Sequence, residues 1–540
     1  MQSIGRSIGV WFLMMTCLAA QAEDVPAYGL LPAADFRLVS GDCADCGGLP
    51  QAMWFFRKET IALPRQGLPL SGFARELRAA DDLRAWHQAT RLGSVPDYPS
   101  LIWVGSPETL PRVELDPAGT SWRTPERVHG FALTPRIVAN RSYYSAVSTA
   151  WLAGRELRVR GKFIDDGQRF AARSIWPAEF RLPERPVLQS LPGESADLPR
   201  ALRDAVRSDA GGGYATRLLW QRSQSAAAPR PGQAVLGMVL NGAQGDDDEA
   251  LAGHFALLTG RVGARGAMHD WLVANYYTLD SESEKGIISA LAPLDGYLGD
   301  LNSGQAWYRP SWMLVATLRE SRTADHLHSA LARVFNQFYR HQFAYQHAVA
   351  NCTGISVSTL RTLDWQVPVL GATSWWKAAL ALPGAAIATG SLSKGKALFD
   401  YLTEDQTRLF PAQAFEQGGA DLLRLVDGTS GRKLSTFERA MSEDIEAIFL
   451  VRIPQFPSSR ALGSYPVAGV DEYRARFPKD PAQRQIVPVG PRPFPVELKD
   501  PLTPDRRPLR SDYAVTLGAL MLAGVVGWAL RAWRRRRSGG

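Results

Sequence analysis

Short stretches of alternating apolar and polar residues dominate the first third of the chain. Between residues 100 and 176, five such stretches are separated by Pro, Gly or Asp, residues that commonly end strands. A helical pattern at 73–92 precedes them. The pattern predicts a small β-rich domain, a sandwich or a barrel, over residues 23–195, with these strands: SLIWVG, PRVELDP, HGFALTPRIV, LRVRGKFID and QRFAARSIW.

Longer apolar runs and amphipathic patterns follow in the middle of the chain. The runs predict strands at 234–242, 253–260, 269–279, 310–318 and 449–457, and helical periodicity predicts helices at 198–208 and 324–341. The helical pattern continues toward Cys352, and largely helical sequence follows that residue. We therefore expect an α+β core over residues 196–460, in which helices cover an antiparallel sheet.

Two parts of this core depart from the regular pattern. Residues 279–310 predict a long loop, which forms either an ordinary packed insertion or one wall of a substrate groove, with Tyr297, Trp307 and Tyr308 as candidate wall residues. Trp375 and Trp376 begin a very apolar helical stretch. They are expected to be a buried pair, although an apolar patch that reaches lipid is the alternative.

Both ends of the chain have targeting patterns. Residues 1–22 combine one positive charge, an apolar stretch and an Ala-Gln-Ala site, which predicts a secretory signal peptide; a lipoprotein anchored at Cys17 is the alternative. A proline-rich stalk at 461–512 leads to an apolar run at 513–533 and a basic tail at 534–540. The arrangement predicts a single-pass inner-membrane protein with its bulk in the periplasm and its C-terminus in the cytoplasm, or a sorting tail that is removed.

This topology explains the charge of the chain. Of the net charge of +8, six positive charges come from Arg6 and from the arginines at 531 and 534–537. The remainder is close to neutral, which gives no argument for a nucleic-acid partner. The acidic run at 246–249 lacks the ligand spacing of an EF-hand, and the chain has no P-loop, dinucleotide fingerprint or zincin motif. We therefore predict no metal and no cofactor.

The cysteine count fits an exported protein. Beyond the predicted leader, three cysteines remain. Cys43 and Cys46 are spaced for a local disulfide in an oxidising compartment; a redox pair or half of a zinc site is the alternative. This pairing leaves Cys352 as a lone thiol, which is either a small buried apolar residue or a nucleophile.

The surroundings of Cys352 favour the nucleophile. Thr353, Ser356 and Ser358 could cap a helix that begins near Cys352. A cysteine at a helix N-terminus lies close to unpaired N–H groups and to the positive end of the helix dipole, and both favour the thiolate.

A base for this thiol is found at the start of a predicted strand. With a turn centred on residues 264–265, His254 lies directly opposite Asn275 on one face, and Asn275 can fix the imidazole tautomer. An earlier turn would bring His269 opposite instead, and His347 is a further alternative because it is close to Cys352 in sequence. His326 and His328 are expected to be solvated.

The set of motifs resembles a known family. Gly253-His254, Asn275-Tyr276 and Asn351-Cys352-Thr353, with Arg361 downstream, resemble the periplasmic domain of Lnb-type lipoprotein N-acyltransferases over residues 253–361. The order of histidine before cysteine is also similar to the permuted papain-like fold of lecithin retinol acyltransferase and NlpC-type amidases. Residues 354–356 depart from the family pattern, because Gly-Ile-Ser stands where an arginine is usual.

The resemblance implies a thiol enzyme of the permuted papain-like class. Cys352 would attack an ester or amide carbonyl, with His254 as base, Asn275 as its orienting residue and the Cys352 N–H as oxyanion donor. Tyr345, Tyr276 and Tyr308 are the candidate residues for oxyanion or substrate contacts. The substrate would be an envelope lipoprotein, lipid or peptide. The alternative is a non-catalytic scaffold of a cell-wall, secretion or conjugation assembly, with a protein partner on the N-terminal domain.

Overall fold

The computed structural model of the protein describes the following residues: 28–43, 49–65, 79–94, 99–135, 143–189, 191, 197–208, 211–223, 228–245, 251–279, 287–457, 462–484 and 493–498. The predicted signal peptide, Cys46, the acidic run at 246–249, the apolar run at 513–533 and the basic tail lie outside these residues. Within them, no helix is both long and apolar enough to cross a bilayer.

The described residues form fifteen strands and thirteen α-helices. The strands are β1 (Phe36–Ser40), β2 (Thr60–Pro64), β3 (Ile102–Gly105), β4 (Glu108–Leu115), β5 (Ser121–Arg123), β6 (Val128–Leu133), β7 (Leu157–Ile164), β8 (Arg169–Pro177), β9 (Ala215–Gln221), β10 (Ala234–Asn241), β11 (His254–Arg261), β12 (Leu272–Asn275), β13 (Ala290–Pro293), β14 (Ser311–Leu318) and β15 (Ile445–Ile453). The helices are α1 (Pro50–Phe55), α2 (Ala79–Ala89), α3 (Ala146–Leu152), α4 (Leu198–Ser208), α5 (Leu294–Gly299), α6 (Arg322–Tyr339), α7 (Cys352–Thr362), α8 (Trp375–Thr389), α9 (Leu392–Thr403), α10 (Gln406–Leu409), α11 (Pro411–Val426), α12 (Thr436–Asp444) and α13 (Val470–Arg476).

Ten strands form one large sheet in the order β1-β2-β3-β13-β12-β11-β10-β14-β15-β9. Neighbouring strands are antiparallel, except for the parallel contact between β13 and β3. The central strands β10 and β14 are buried along their whole length, which is why their sequences read as continuous apolar runs. The α+β class predicted from the sequence is therefore present in the structure.

Helices α6, α7 and α11 pack against the centre of this sheet. Helix α11 comes especially close to the sheet because it has glycines, Gly418 and Gly419, at the contact. A Cβ atom on Gly418 would lie only 2.9 Å from the sulfur of Met238 on β10. The resulting core is continuous from the first strands of the chain to β15. Within this core, α7 packs against β11. Cys352 on α7 is thereby held near His254 on β11.

The remaining five strands close into a small barrel, β4-β5-β6-β8-β7, with its own apolar core around Trp122 and Phe170. Strands β1 to β3 instead extend the large sheet, so the region predicted as one β-rich domain over 23–195 contributes to both structures. Buried ion pairs join the barrel to the large sheet. Arg158 and Arg160 on β7 bind Asp295 on α5, and Arg173 on β8 binds Asp300.

Three expectations about the middle of the chain were wrong in detail. Helix α6 ends at Tyr339, and residues 340–350 form turns before α7 begins, so no continuous helix reaches Cys352. The excursion predicted at 279–310 contains β13 and α5. His326 and His328 are buried rather than solvated, because α6 turns them toward neighbouring elements: His326 contacts His87, and His328 contacts Ser100 and Thr259.

Candidate functional site

Cys352 is the first residue of α7, and Asn351 caps that helix. The Asn351 Oδ1 atom accepts a hydrogen bond of 2.8 Å from the Gly354 N–H. Its Nδ2 atom donates to the carbonyls of His347 and Leu409, at 2.9 and 3.0 Å. The cap therefore has a fixed orientation, and the cysteine is held at the end of the helix where the dipole favours a negative charge. The sequence predicted this helix start, but assigned the cap to residues on the other side of the cysteine.

His254 is the first residue of β11 and is buried beside the Cys352 thiol, close enough for its charge to lower the pKa of that thiol. The imidazole Nε2 atom lies 2.7 Å from the Asn275 Oδ1 atom. Because the Asn275 Nδ2 atom donates to the Ile288 carbonyl, its oxygen is the atom that faces the imidazole. Nε2 of the neutral ring then carries the proton, which leaves Nδ1 free to accept the proton of the thiol.

The register that brings His254 and Asn275 together differs from the predicted one. Leu257 pairs with Ala274 and Thr259 with Leu272, so Asn275 lies beside Ala256 and two residues from the position opposite His254. The turn is centred one residue later than expected. A shift of two positions keeps both side chains on the same face, and diagonal neighbours remain within reach of long side chains.

The groups around the thiol oppose the effect of its burial. Burial raises the pKa of Cys352, but the positive charge of His254, a hydrogen bond with that ring, and further hydrogen bonds from the backbone of Phe255 and from Thr353 lower it to about 6. The Thr353 Oγ1 atom lies 3.8 Å from the sulfur. The Cys352 residue is only 4% exposed, yet its neighbours are polar groups rather than an aliphatic pocket.

Tyr345 and Tyr297 are two further polar residues near the sulfur. The Tyr345 hydroxyl lies close enough to Cys352 for the charge of the thiolate to act on it. Burial first, and then the negative charge of Cys352, hold the pKa of Tyr345 well above its usual value. Burial also raises the pKa of Tyr297; the Arg309 guanidinium opposes this and the charge on Cys352 adds to it. Tyr297 was predicted as a groove-wall residue, and the structure brings it close to the thiol.

Asn241 is a site residue that the sequence reasoning missed. It lies directly opposite His254 on β10, and opposite Ser311 on β14. The Tyr297 hydroxyl donates to the Asn241 Oδ1 atom, and the Asn241 Nδ2 atom donates to the Ser311 Oγ atom at 2.8 Å. Its position in the sequence could have indicated this role. Asn241 is the one polar residue at the end of the apolar strand β10, which pairs with the strand that begins at His254.

The other predicted tyrosines lie elsewhere. Tyr276 stacks on Phe335 and donates to the Leu331 carbonyl, and Tyr308 donates to the Asn302 carbonyl at 2.6 Å. Both hydroxyls are thus used within the core.

The alternative bases and the downstream arginine also have other partners. His269 pairs with Asp270 at 3.4 Å, whereas His347 packs edge-on against Tyr345. Arg361, on the last turn of α7, binds Asp405 and the carbonyls of residues 367 and 368, well away from the cysteine. Among the predicted candidate bases, His254 is the one whose charge lowers the pKa of the Cys352 thiol.

The cysteines of the described residues divide into two kinds. Cys43 is in a disulfide, and its predicted partner Cys46 lies outside the described part of the chain. Cys352 is the free cysteine among the described residues. The same residues contain no group of three or more His, Cys, Asp or Glu side chains that could hold a metal ion.

Comparison with known proteins adds nothing to this geometry. The chain matches no family model, no curated protein and no solved structure. The function must therefore be inferred from the residues around Cys352 themselves.

Proposed function

We propose that this protein is a membrane-tethered periplasmic thiol enzyme of the permuted papain-like class. It would transfer or hydrolyse acyl groups of an envelope lipoprotein, lipid or peptide. One observation carries the proposal: α7 packs on β11 so that His254 lies beside the Cys352 thiol, and Asn275 holds the far nitrogen of that imidazole at 2.7 Å. A helix N-terminus, a base and a base-orienting amide are the three parts that a nucleophilic cysteine requires.

The first half of the reaction follows from this arrangement. His254 takes the thiol proton, and the Cys352 sulfur attacks the carbonyl carbon of the substrate, so that a C–S bond forms and the carbonyl π electrons move to oxygen. When the tetrahedral intermediate collapses, the bond to the leaving group breaks and the imidazolium gives its proton to the leaving nitrogen or oxygen. The product is a thioester on Cys352.

The second half uses the same base. His254 deprotonates a water molecule or an acceptor amine, which attacks the thioester carbonyl and expels the thiolate. Hydrolysis and acyl transfer therefore differ only in the acceptor. During both halves, the Cys352 N–H and the Tyr345 hydroxyl would donate hydrogen bonds to the developing oxyanion.

The order of elements supports the permuted class. The histidine strand β11 precedes the cysteine helix α7, and that helix packs directly on that strand. The motifs resemble those of Lnb-type lipoprotein N-acyltransferases in the same order, which favours a lipid-derived or lipoprotein acyl group as the substrate.

Acylation by an activated ester tests the proposal. The purified full chain is incubated with p-nitrophenyl acetate, release of p-nitrophenolate is followed, and the acetylated peptide is identified by mass spectrometry. We expect an acetyl thioester on Cys352 in the wild-type protein and none in the Cys352→Ala variant. If Cys352 stays unacetylated in folded protein, the scaffold alternative is favoured.

A further inference from the structure

Helices α8 and α9 form a hairpin whose apolar surface faces outward. Among their residues, only Ala378, Gly395 and Leu402 are buried. The expectation that Trp375 and Trp376 form a buried pair was therefore wrong: they are 66% and 82% exposed.

The exposed apolar residues of α8 form one stripe. Trp376, Leu380 and Ile387 are spaced by four and seven positions, which places them on the same face of a helix, and they are 82%, 72% and 83% exposed. Leu392, at the start of α9, is 72% exposed as well and is counted with the stripe. Lys377 is the one charged residue of α8. An apolar surface of this kind would favour aggregation if it were left exposed to water, so we expect it to be covered.

The α8–α9 hairpin is held in place by close packing and by hydrogen bonds. A Cβ atom on Gly395 would lie 2.4 Å from the Leu382 carbonyl oxygen, so the glycine lets the two helices approach closely. At its base, the Asp405 carboxylate accepts from the N–H groups of Leu370 and Gly371 and from the guanidinium of Arg361 on α7. The stripe therefore has a fixed position relative to the helix that begins with Cys352.

We propose that this stripe, consisting of Trp376, Leu380, Ile387 and Leu392, docks in the surface of a lipid bilayer. The inference goes beyond the proposed acyl chemistry, but it rests on the membrane anchor that the proposed function includes. Aromatic and aliphatic residues on one face, with lysines beside them, are the composition of a helix that lies in the membrane interface. Lys394 on α9 is exposed and can complement anionic headgroups, whereas the exposed Lys377 pairs with Asp471 at 3.6 Å.

Two further observations favour lipid over a protein partner. The residues between the large side chains of α8 are mostly alanine, with one glycine and one proline, so this surface offers few hydrogen-bonding side chains for specific recognition. In addition, the chain continues for 42 residues beyond Leu498, and those residues include 18 consecutive uncharged positions at 513–530 followed by arginines. The proposed function takes this segment as the membrane anchor, and such an anchor would hold the folded part close to a bilayer.

Site-specific fluorescence in vesicles tests the inference. The full chain is reconstituted into vesicles of phosphatidylethanolamine and phosphatidylglycerol, with an environment-sensitive fluorophore on Ile387→Cys in a Cys352→Ala background. Labelling at residue 387 is verified by peptide mass spectrometry. The control carries the fluorophore on Val187→Cys, because Val187 is 70% exposed but lies outside the stripe. Fluorescence is compared in vesicles with and without lipids brominated near the headgroup end of the acyl chains.

We expect a blue shift and a loss of fluorescence in brominated vesicles at residue 387, with neither change at residue 187. Equal emission in both lipids at residue 387 would overturn the inference, as would equal quenching at both positions. A blue shift at residue 387 that is unaffected by bromination, and that grows with the protein-to-lipid ratio, would assign the stripe to a second copy of the chain and would also overturn it.

Discussion

Asn275 lies diagonally across the β11–β12 ladder from His254, and its Oδ1 atom is 2.7 Å from Nε2 of the imidazole. Its amide nitrogen donates to the Ile288 carbonyl, so this side chain cannot rotate without losing a second hydrogen bond. The relationship fixes which nitrogen of His254 faces the cysteine. It gives Asn275 a positioning role, because it acts on the reaction only through the imidazole.

Removal of this amide should slow acylation without removing the nucleophile. In Asn275→Ala, the imidazole loses the partner that holds its orientation and tautomer, and we expect the acetylation rate of Cys352 to fall by about tenfold, equivalent to about 1.4 kcal/mol. The rate is measured with p-nitrophenyl acetate across pH. Asn275→Gln and Asn275→Asp, which keep an accepting oxygen, should recover part of the rate. An unchanged rate and pH profile in Asn275→Ala would contradict the role.

The pKa of about 6 for Cys352 predicts its reactivity with pH. The rate of alkylation by iodoacetamide, measured at the Cys352 peptide by mass spectrometry, should rise through a midpoint close to 6, whereas an ordinary thiol has its midpoint near 8.5. In His254→Ala, the largest of the effects that lower this pKa is absent, so the midpoint should move upward. A midpoint near 8.5 in the wild-type protein would contradict an activated thiol.

The same shift has a consequence for stability. Because the pKa of the folded state is lower than that of the unfolded chain, the folded state releases this proton more readily. The resulting stabilisation is complete above the pKa of the unfolded thiol and is lost as pH falls toward 6. The free energy of unfolding of the wild-type protein relative to Cys352→Ala should therefore decrease between about pH 9 and pH 6.

The types of the main elements were predictable because buried positions appear in the sequence as apolar residues with a regular spacing. The apolar runs of β10, β11 and β14 and the amphipathic pattern of α4 gave those elements nearly to the residue. The nucleophile was predictable as well, because Cys352 was the one cysteine left without a predicted disulfide partner. These are local properties that each segment carries by itself.

The pairing of strands that are distant in sequence could not be predicted from local patterns. Nothing local in β3 shows that it would join β13 and so carry β1 and β2 into the large sheet. The register of β11 with β12 depends on a turn in which Arg265 adopts a positive φ of 54°, a conformation that the glycine-rich sequence does not fix at one residue. Asn241 became visible only when β10 was placed beside β11, because its role comes entirely from its cross-strand neighbour.

The buried charges between the barrel and α5 should contribute strongly to stability. Asp295 is 1% exposed and accepts hydrogen bonds from Arg158 and Arg160. In Asp295→Ala, two buried guanidinium groups lose this partner, and we expect the free energy of unfolding to fall by about 3–5 kcal/mol. The measurement is urea unfolding followed by tryptophan fluorescence.

An exposed ion pair provides the control for that variant. Asp81 pairs with Arg84 at 3.2 Å, but about half of each side chain is in solvent, so Asp81→Ala should cost no more than about 1 kcal/mol. If the two variants were equally stable, the ion pairs between the barrel and α5 could not be a main attachment of the barrel.

The hydroxyl of Tyr297 should affect the site as well as the fold. In Tyr297→Phe, the Asn241 Oδ1 atom loses its donor in a buried position, and the free energy of unfolding should fall by about 1–3 kcal/mol. Because Asn241 lies opposite His254 and Tyr297 lies close to the thiol, the acetylation rate of Cys352 should fall as well. Urea unfolding and the p-nitrophenyl acetate assay measure the two effects separately.

Tyr308→Phe is the matched control, because Tyr308 is equally buried and also donates its hydroxyl within the core, to the Asn302 carbonyl. This variant should lose stability by a similar amount while the acetylation rate stays at the wild-type value, since the Tyr308 hydroxyl donates to the Asn302 carbonyl. A fall in rate that follows stability equally in both variants would mean that Tyr297 acts only through the fold. A rate loss confined to Tyr297→Phe would instead assign its hydroxyl to the polar surface around Cys352.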